Sequence, residues 1–288
     1  MINWIAKTIA LWAALWFSSV AMAAGSTYAL DRFPVEKLTD QAALQNGAKL
    51  FGNYCLNCHG ASAMRYNRMR DIGLSEDQIT RNLLFTSDKV GDPMKVALRA
   101  NDAKAWFGAL PPDLSVIARA RASGDGSGPD WLYTYLRAYY RDSTRSTGWN
   151  NALFENVGMP HVLWPLQGVR GKTSEEVRQT TDPKTGAVEL VRTTVSFDNN
   201  GFRTDATEKL AAGSAAVGTK IQFGKAEGGS ASAADYDSQV GDLVAFLTYM
   251  SDPTTSTRVQ VGAWVLMFLA FFTIFAWNLN RVYWKDVK

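Results

Sequence analysis

Nineteen consecutive residues near the C-terminus, Val261 to Leu279, carry no ionisable side chain. As an α-helix they rise about 28 Å, close to the ~30 Å hydrocarbon core of a bilayer. The stretch is apolar on every face, and Trp264, Trp277, Tyr283 and Trp284 supply aromatic rings suited to the membrane interface. It predicts one transmembrane helix over 259–280, so lipid is the required surrounding of that part of the chain. Arg281, Lys285 and Lys288 follow it, and the excess of positive charge on the inner side of membranes places 281–288 in the cytoplasm.

The opposite end agrees. Lys7 precedes thirteen largely apolar residues, Thr8 to Val20, and Ala21-Met22-Ala23 follows as a small-residue cleavage site. That layout predicts a secretory signal peptide over 1–23, since thirteen residues cover only about 20 Å as a helix and cannot span. Both ends therefore put a body of residues 24–258 in the periplasm, held at a bacterial inner membrane. The whole chain has 30 basic and 27 acidic side chains. In the body the two signs are equal in number, with none of the basic excess that nucleic-acid binding demands, so no nucleic acid is expected as a partner.

Within the body, Leu44, Ala48 and Phe51 share one face of a helix predicted over Gln41–Tyr54, with Gly47 open to close approach by another backbone. Ser75-Glu76-Asp77-Gln78 is a capping box that opens a second helix through Ile79, Leu83 and Leu84. Residues 101–116 read as loop because Pro111 and Pro112 exclude regular helix, and Trp131–Tyr140 reads as an aromatic helix. Alternation over Val177–Phe197 predicts a β-hairpin turning at Pro183 to Gly186, and the Gly/Ala/Ser-rich stretch 213–234 reads as loop. Helical spacing returns through Tyr236, Val240, Leu243, Val244, Leu247 and Met250, then stops at Asp252-Pro253. The hairpin and loop form an insertion over about 170–234.

The two cysteines are three apart, in Cys55-Leu56-Asn57-Cys58-His59. C-x-x-C-H is the attachment pattern of c-type haem: residues three apart on a helical turn put both thiols on one face, and the next side chain offers imidazole to the iron. Zinc usually takes four Cys or His ligands, and this chain has two of each with no second pair at a suitable spacing. A thioredoxin-like pair belongs beside a βαβ pattern, which is missing. The reading is one haem c per chain, covalently attached, with His59 on the metal. Candidates for the sixth ligand are His161, Met64, Met69, Met94, Met159 and Met250. Met64 and Met69 follow the attachment turn too closely to cross the ring, Met250 sits on an apolar stripe, and Met94 precedes a helical run. Met159, between Gly158 and Pro160 in a loop, is the best placed.

The order of these features closely resembles the cytochrome c1 family of ubiquinol-cytochrome c reductase complexes. The resemblance runs through C-x-x-C-H, Ala109-Leu110-Pro111-Pro112-Asp113-Leu114-Ser115, Ala118-Arg119-Ala120-Arg121, the aromatic helix, Gly158-Met159-Pro160 and the terminal span. Glycine-rich 124–129 and Trp131 match bacterial members more closely than mitochondrial ones. The resemblance implies an all-α class I cytochrome c-like domain with long loops, the small β-hairpin insertion and one C-terminal transmembrane helix. It implies His59 and Met159 as axial ligands, Pro111 and Pro112 along the haem pocket, and Arg121 against a haem propionate, a surface charge or salt bridge being the alternative for Arg121. The implied role is single-electron transfer from the Rieske iron-sulfur protein to a soluble or membrane-bound cytochrome c, with quinol chemistry in cytochrome b and a dimeric complex. A haem c subunit of a terminal oxidase and a five-coordinate gas-binding haem protein are the rival readings.

Overall fold

The computed structural model describes residues 28–181, 186, 188–211 and 213–286. The predicted signal peptide 1–23 and most of the hairpin turn at Pro183–Gly186 lie outside them. Contacts divide the chain into two compact units.

One unit comprises Phe33–Ala120 and the residues from Ala231 onward. Its first helix, Gln41–Leu50, is capped by the Asp40 carboxylate, which accepts from the Ala42 and Ala43 amides at 2.9 and 3.3 Å. Leu44, Ala48 and Phe51 are buried, as their spacing predicts. They pack on the long helix Ala233–Ser251, which starts at a Ser232 cap and buries Val240, Leu243, Val244, Phe246, Leu247 and Met250. Gly47 is where the two helices meet: a Cβ there would come within 2.6 Å of Phe246 Cβ and would run into the Asp242 carbonyl oxygen. Beside the contact, Asp242 accepts from Lys37 Nζ at 2.5 Å and from Asn46 Nδ2 at 2.7 Å.

The predicted capping box opens the helix Glu76–Asn82. The loop reading of 101–116 is corrected, because Ala100–Phe107 is helical and ends on Gly108 in the left-handed region. Pro111 and Pro112 forbid helix only where they stand, and the alanines before them are good helix formers. The short helix Ile117–Ala120 follows. The apolar helix Thr255–Tyr283 includes the whole predicted span, and its apolar window buries nothing against the protein.

The other unit comprises residues up to Arg32 and Arg121–Ser230. Its aromatic helix runs Gly128–Arg137, opened by a Ser127–Asp130 capping box with Pro129 in the first turn. It begins earlier than predicted and stops short of Tyr140: Tyr139–Arg141 is a strand paired with Trp149–Asn151. The predicted hairpin is present as Lys172–Thr181 against Val188–Phe197, in register Lys172↔Phe197 to Thr181↔Val188. It is the centre of a four-stranded antiparallel sheet, flanked by Arg203–Leu210 on one side and Gly218–Phe223 on the other.

The sheet corrects the all-α expectation, and Gly218–Phe223 corrects the loop reading of 213–234. Arg203–Leu210 shows no apolar alternation because nearly all of it is exposed at the sheet edge. Phe197, Ile221 and Phe223 pack with Tyr28, Ala138, Tyr140, Ala152 and Leu153 beneath the sheet.

Candidate functional site

The cysteine helix does not stop at Leu50. It widens into a π-helical turn over Phe51–Cys55, after which the Cys58 and His59 amides both donate to the Cys55 carbonyl, at 3.1 and 2.8 Å. This tight turn presents Cys55, Cys58 and His59 together. Cys55 is buried and Cys58 partly exposed, both as free thiols. Burial pushes the Cys55 thiol up to about 12, helped by neighbouring Cys58, and burial raises Cys58 as well.

His59 is 9% exposed, and its Nδ1 lies 2.7 Å from the Pro112 carbonyl oxygen. A carbonyl accepts and never donates, so Nδ1 carries the proton and Nε2 keeps its lone pair. Burial lowers the pKa of His59 against the opposing pull of that hydrogen bond and of Asp113, favouring the neutral ring that metals bind. Two thiols at i and i+3, followed by an imidazole oriented through Nδ1, fit the donor set of a c-type haem.

The segment behind His59 is fastened to the turn by residues that the sequence reading did not single out. Asp113 accepts from the Ser62 amide through Oδ2 and from the Ser115 amide through Oδ1, both at 2.8 Å. Ser115 Oγ accepts from the Ala63 amide at 2.9 Å, and the Leu114 amide donates to the Gly60 carbonyl at 2.7 Å. Burial acts to raise the Asp113 carboxyl, but hydrogen bonds from Ser115 and Ser62 outweigh it and hold the group below its ordinary value. The Asp-x-Ser spacing in Asp113-Leu114-Ser115 is a local signal for such side-chain-to-backbone clamps. Pro112 thus acts through its carbonyl, and Pro111 precedes it in the same extended segment.

Met159 and Arg121 lie in the other unit. Met159 is partly buried, and two tyrosines hold its loop. Tyr135 Oη donates to Met159 Sδ at 3.5 Å, Tyr139 Oη donates to the Met159 carbonyl at 3.3 Å, and the two hydroxyls are 2.7 Å apart. Burial raises the Tyr135 pKa, with Tyr139 and Arg121 pulling it back. Arg121 lies over the Trp131 ring at 4.4 Å and makes no ion pair among the described residues. Trp131 in turn stacks on Tyr135 at 4.8 Å and 13°. A cation, an indole, a phenol and a thioether follow one another here.

His161 is placed differently. It is 2% exposed, stacked on Tyr139 at 4.7 Å and 9°, and edge-on to Trp149 at 5.0 Å. Its Nε2 lies 2.6 Å from Gln167 Oε1, and burial pushes its pKa down to about 3. It is a core histidine. Met64, Met69, Met94 and Met250 are buried in the unit that holds the cysteines.

The cytochrome C1 family profile matches residues 33–287. The chain is 40% identical over 252 residues to cytochrome c1 of Allochromatium vinosum, across 87% of this chain and 86% of that one. It is 39% identical over 268 residues, 93% of each chain, to a protein of Nitrosomonas europaea named ammonia monooxygenase gamma subunit. Over 271 residues it is 27% identical to cytochrome c1 of Rhodospirillum rubrum, across 86% and 83% of the two chains. The profile spans the cysteine turn, the Pro-Pro-Asp-Leu-Ser segment, the methionine loop and the apolar helix, and the chain belongs to the cytochrome c1 family.

Proposed function

We propose that the chain is the membrane-anchored haem subunit of a quinol-oxidising cytochrome bc1 complex. It takes single electrons from the Rieske iron-sulfur protein and passes them to a soluble or membrane-bound cytochrome c, while cytochrome b carries the quinol chemistry. The observation that carries the reading is His59, its Nδ1 committed to Pro112 in the same turn as the two cysteines of a cytochrome c1 family chain. Haem, when bound, supplies a one-electron couple.

Cys55 and Cys58 are the two thioether attachments, for one haem c. His59 Nε2 and Met159 Sδ are the axial donors. Thioether sulfur favours the reduced iron and so raises the reduction potential, which suits delivery to a high-potential acceptor. With both axial positions filled, electrons exchange without a substrate entering, which sets this reading apart from a five-coordinate gas-binding protein. Arg121 offers a positive charge to a propionate, and Pro111 and Pro112 line the pocket. Residues 1–23 are removed on export, 24–258 form the periplasmic body with the 170–234 insertion, 259–280 span the inner membrane, and 281–288 remain in the cytoplasm. The complex is a dimer.

The test is purification of the intact complex from membranes, with identification of its partners and measurement of quinol-driven reduction of soluble cytochrome c. Co-purification with cytochrome b and a Rieske protein, together with that activity, supports the reading. Recovery with a terminal oxidase, or with the ammonia-oxidising enzyme that the Nitrosomonas name suggests for that relative, overturns it. Changing both Cys55 and Cys58 to Ser abolishes haem stain after denaturing electrophoresis. Met159→Leu removes the long-wavelength sulfur-to-ferric-iron band, and His161→Ala retains it.

A further inference from the structure

We propose that Tyr139 and Tyr135 form a hydroxyl relay ending on the Met159 thioether, and that this relay sets the reduction potential through the sulfur. The inference rests on the reading of Met159 as an iron ligand. Tyr135 is 9% exposed and Tyr139 fully buried, so neither hydroxyl has bulk water as its ordinary partner. Each hydroxyl has one proton to give. With the Tyr135 proton on Met159 Sδ, the 2.7 Å contact between the phenols takes the Tyr139 proton in place of the longer 3.3 Å contact to the Met159 carbonyl. A hydroxyl that accepts a hydrogen bond is a stronger donor, so Tyr139 polarises Tyr135 toward the sulfur.

Both rings are held in place. Tyr135 is stacked under Trp131, which carries the Arg121 guanidinium on its ring, and Tyr139 is stacked on His161. A hydrogen bond to sulfur draws on the lone-pair density that would otherwise be donated to the metal. Ferric iron depends on that donation more than ferrous iron does, so the bond disfavours the oxidised state and raises the potential. Tyr135 is accordingly a positioning and tuning residue. It acts through Met159, and no covalent or proton-transfer step is involved.

The experiment is an equilibrium redox titration of the haem-loaded complex, with optical spectra of the oxidised form, for wild type, Tyr135→Phe, Tyr139→Phe and the double variant. Phenylalanine keeps both rings and removes only the hydroxyls. A hydrogen bond has a net value of about 0.5–1.5 kcal/mol, so Tyr135→Phe shifts the oxidised-to-reduced ratio at fixed potential by at most about tenfold. That is a downward shift of up to about 59 mV for one electron. Tyr139→Phe shifts it the same way by less, and the double variant falls no further than Tyr135→Phe. All variants keep the sulfur-to-iron band. A Tyr135→Phe potential that is unmoved or higher, with the band intact, overturns the relay while leaving the ligand standing. A band that survives Met159→Leu overturns the ligand assignment itself and the relay with it.

Discussion

Gly47→Ala adds one methyl group where the cysteine helix crosses the long helix Ala233–Ser251. The new Cβ would stand 2.6 Å from Phe246 Cβ, against a normal carbon–carbon separation of about 3.5–4.0 Å, and closer still to the Asp242 carbonyl oxygen. The helices must separate by about 1 Å, and Asp242 resists because Lys37 and Asn46 hold its carboxylate. Overpacking costs about 1–3 kcal/mol, about 2–3 here because the nearest clashing atom is backbone, and alanine recovers up to about 1 kcal/mol over glycine in a helix interior. The net loss is about 1–2 kcal/mol, or roughly 2–8 °C in Tm for a domain of this size. Gly52→Ala is the control: its Cβ would meet Phe85 Cε2 at 3.4 Å and Leu83 Cδ2 at 3.7 Å, which is ordinary contact, so it is neutral or stabilised by up to about 1 kcal/mol. Thermal and denaturant unfolding of the two haem-loaded variants decides the matter. Equal stabilities, or a stabilised Gly47→Ala, would refute the close-packing argument.

Asp242→Ala removes the counter-charge of Lys37, whose Nζ keeps Ser238 Oγ at 3.1 Å, and the acceptor of the Asn46 amide, and lowers stability by about 2–3 kcal/mol. The paired change Lys37→Met with Asp242→Leu recovers most of that loss, as a denaturant double-mutant cycle would show. The depressed Asp113 pKa means that the folded state favours its ionised form. That contribution is present above the unfolded carboxylate value near ~4 and is lost as pH falls through the folded value. Asp113→Asn therefore flattens the acid limb of an unfolding-against-pH curve, and an unchanged limb would show that the clamp contributes nothing. If Arg121 faces a propionate as proposed, Arg121→Gln lowers the reduction potential by removing that positive charge, and a redox titration without a shift assigns Arg121 to its stack on Trp131 alone. Truncation before Val261 yields a soluble, haem-containing fragment, because the apolar helix buries nothing against the body; aggregated, haem-free material would contradict this.

The helical parts of the fold were legible because their signals are local. The Ser75 capping box is written in the sequence, and the Leu44, Ala48, Phe51 stripe has one period and one face; the Asp40 and Ser232 caps emerge only in the structure. The sheet was legible only at its centre. Lys172–Thr181 and Val188–Phe197 are paired on both sides, whereas Arg203–Leu210 is an edge strand that turns back on Val188–Phe197, and Gly218–Phe223 pairs with Lys172–Val177, about 46 residues earlier. Arg203–Leu210 is charged and gives no period to read, while the alternation of Gly218–Phe223 rests on Ile221 and Phe223 alone, inside a stretch otherwise rich in Gly, Ala and Ser. Ala100–Phe107 is hidden for a different reason: a proline pair breaks helix only locally, and Pro111 and Pro112 lie past the Gly108 at which this helix has already ended.

The candidate site divides along the same line. Cys55, Cys58 and His59 are legible because their chemistry is set by spacing within one turn, whereas the orientation of the His59 ring is not, for it depends on a carbonyl 53 residues away. Met159 and His161 are two residues apart in a loop, and sequence could rank them only by donor chemistry and by the stiffness of Pro160. Their surroundings separate them on independent grounds. His161 has given its Nε2 to Gln167 and its ring faces to aromatic neighbours, so freeing it would expose a buried cavity and break a hydrogen bond of 2.6 Å. Among the described residues, Met159 meets polar groups through one sulfur contact at 3.5 Å and its own backbone carbonyl. A ligand must be free to bind yet held near its place, and on the proposed reading the surroundings of Met159 support that role better than those of His161.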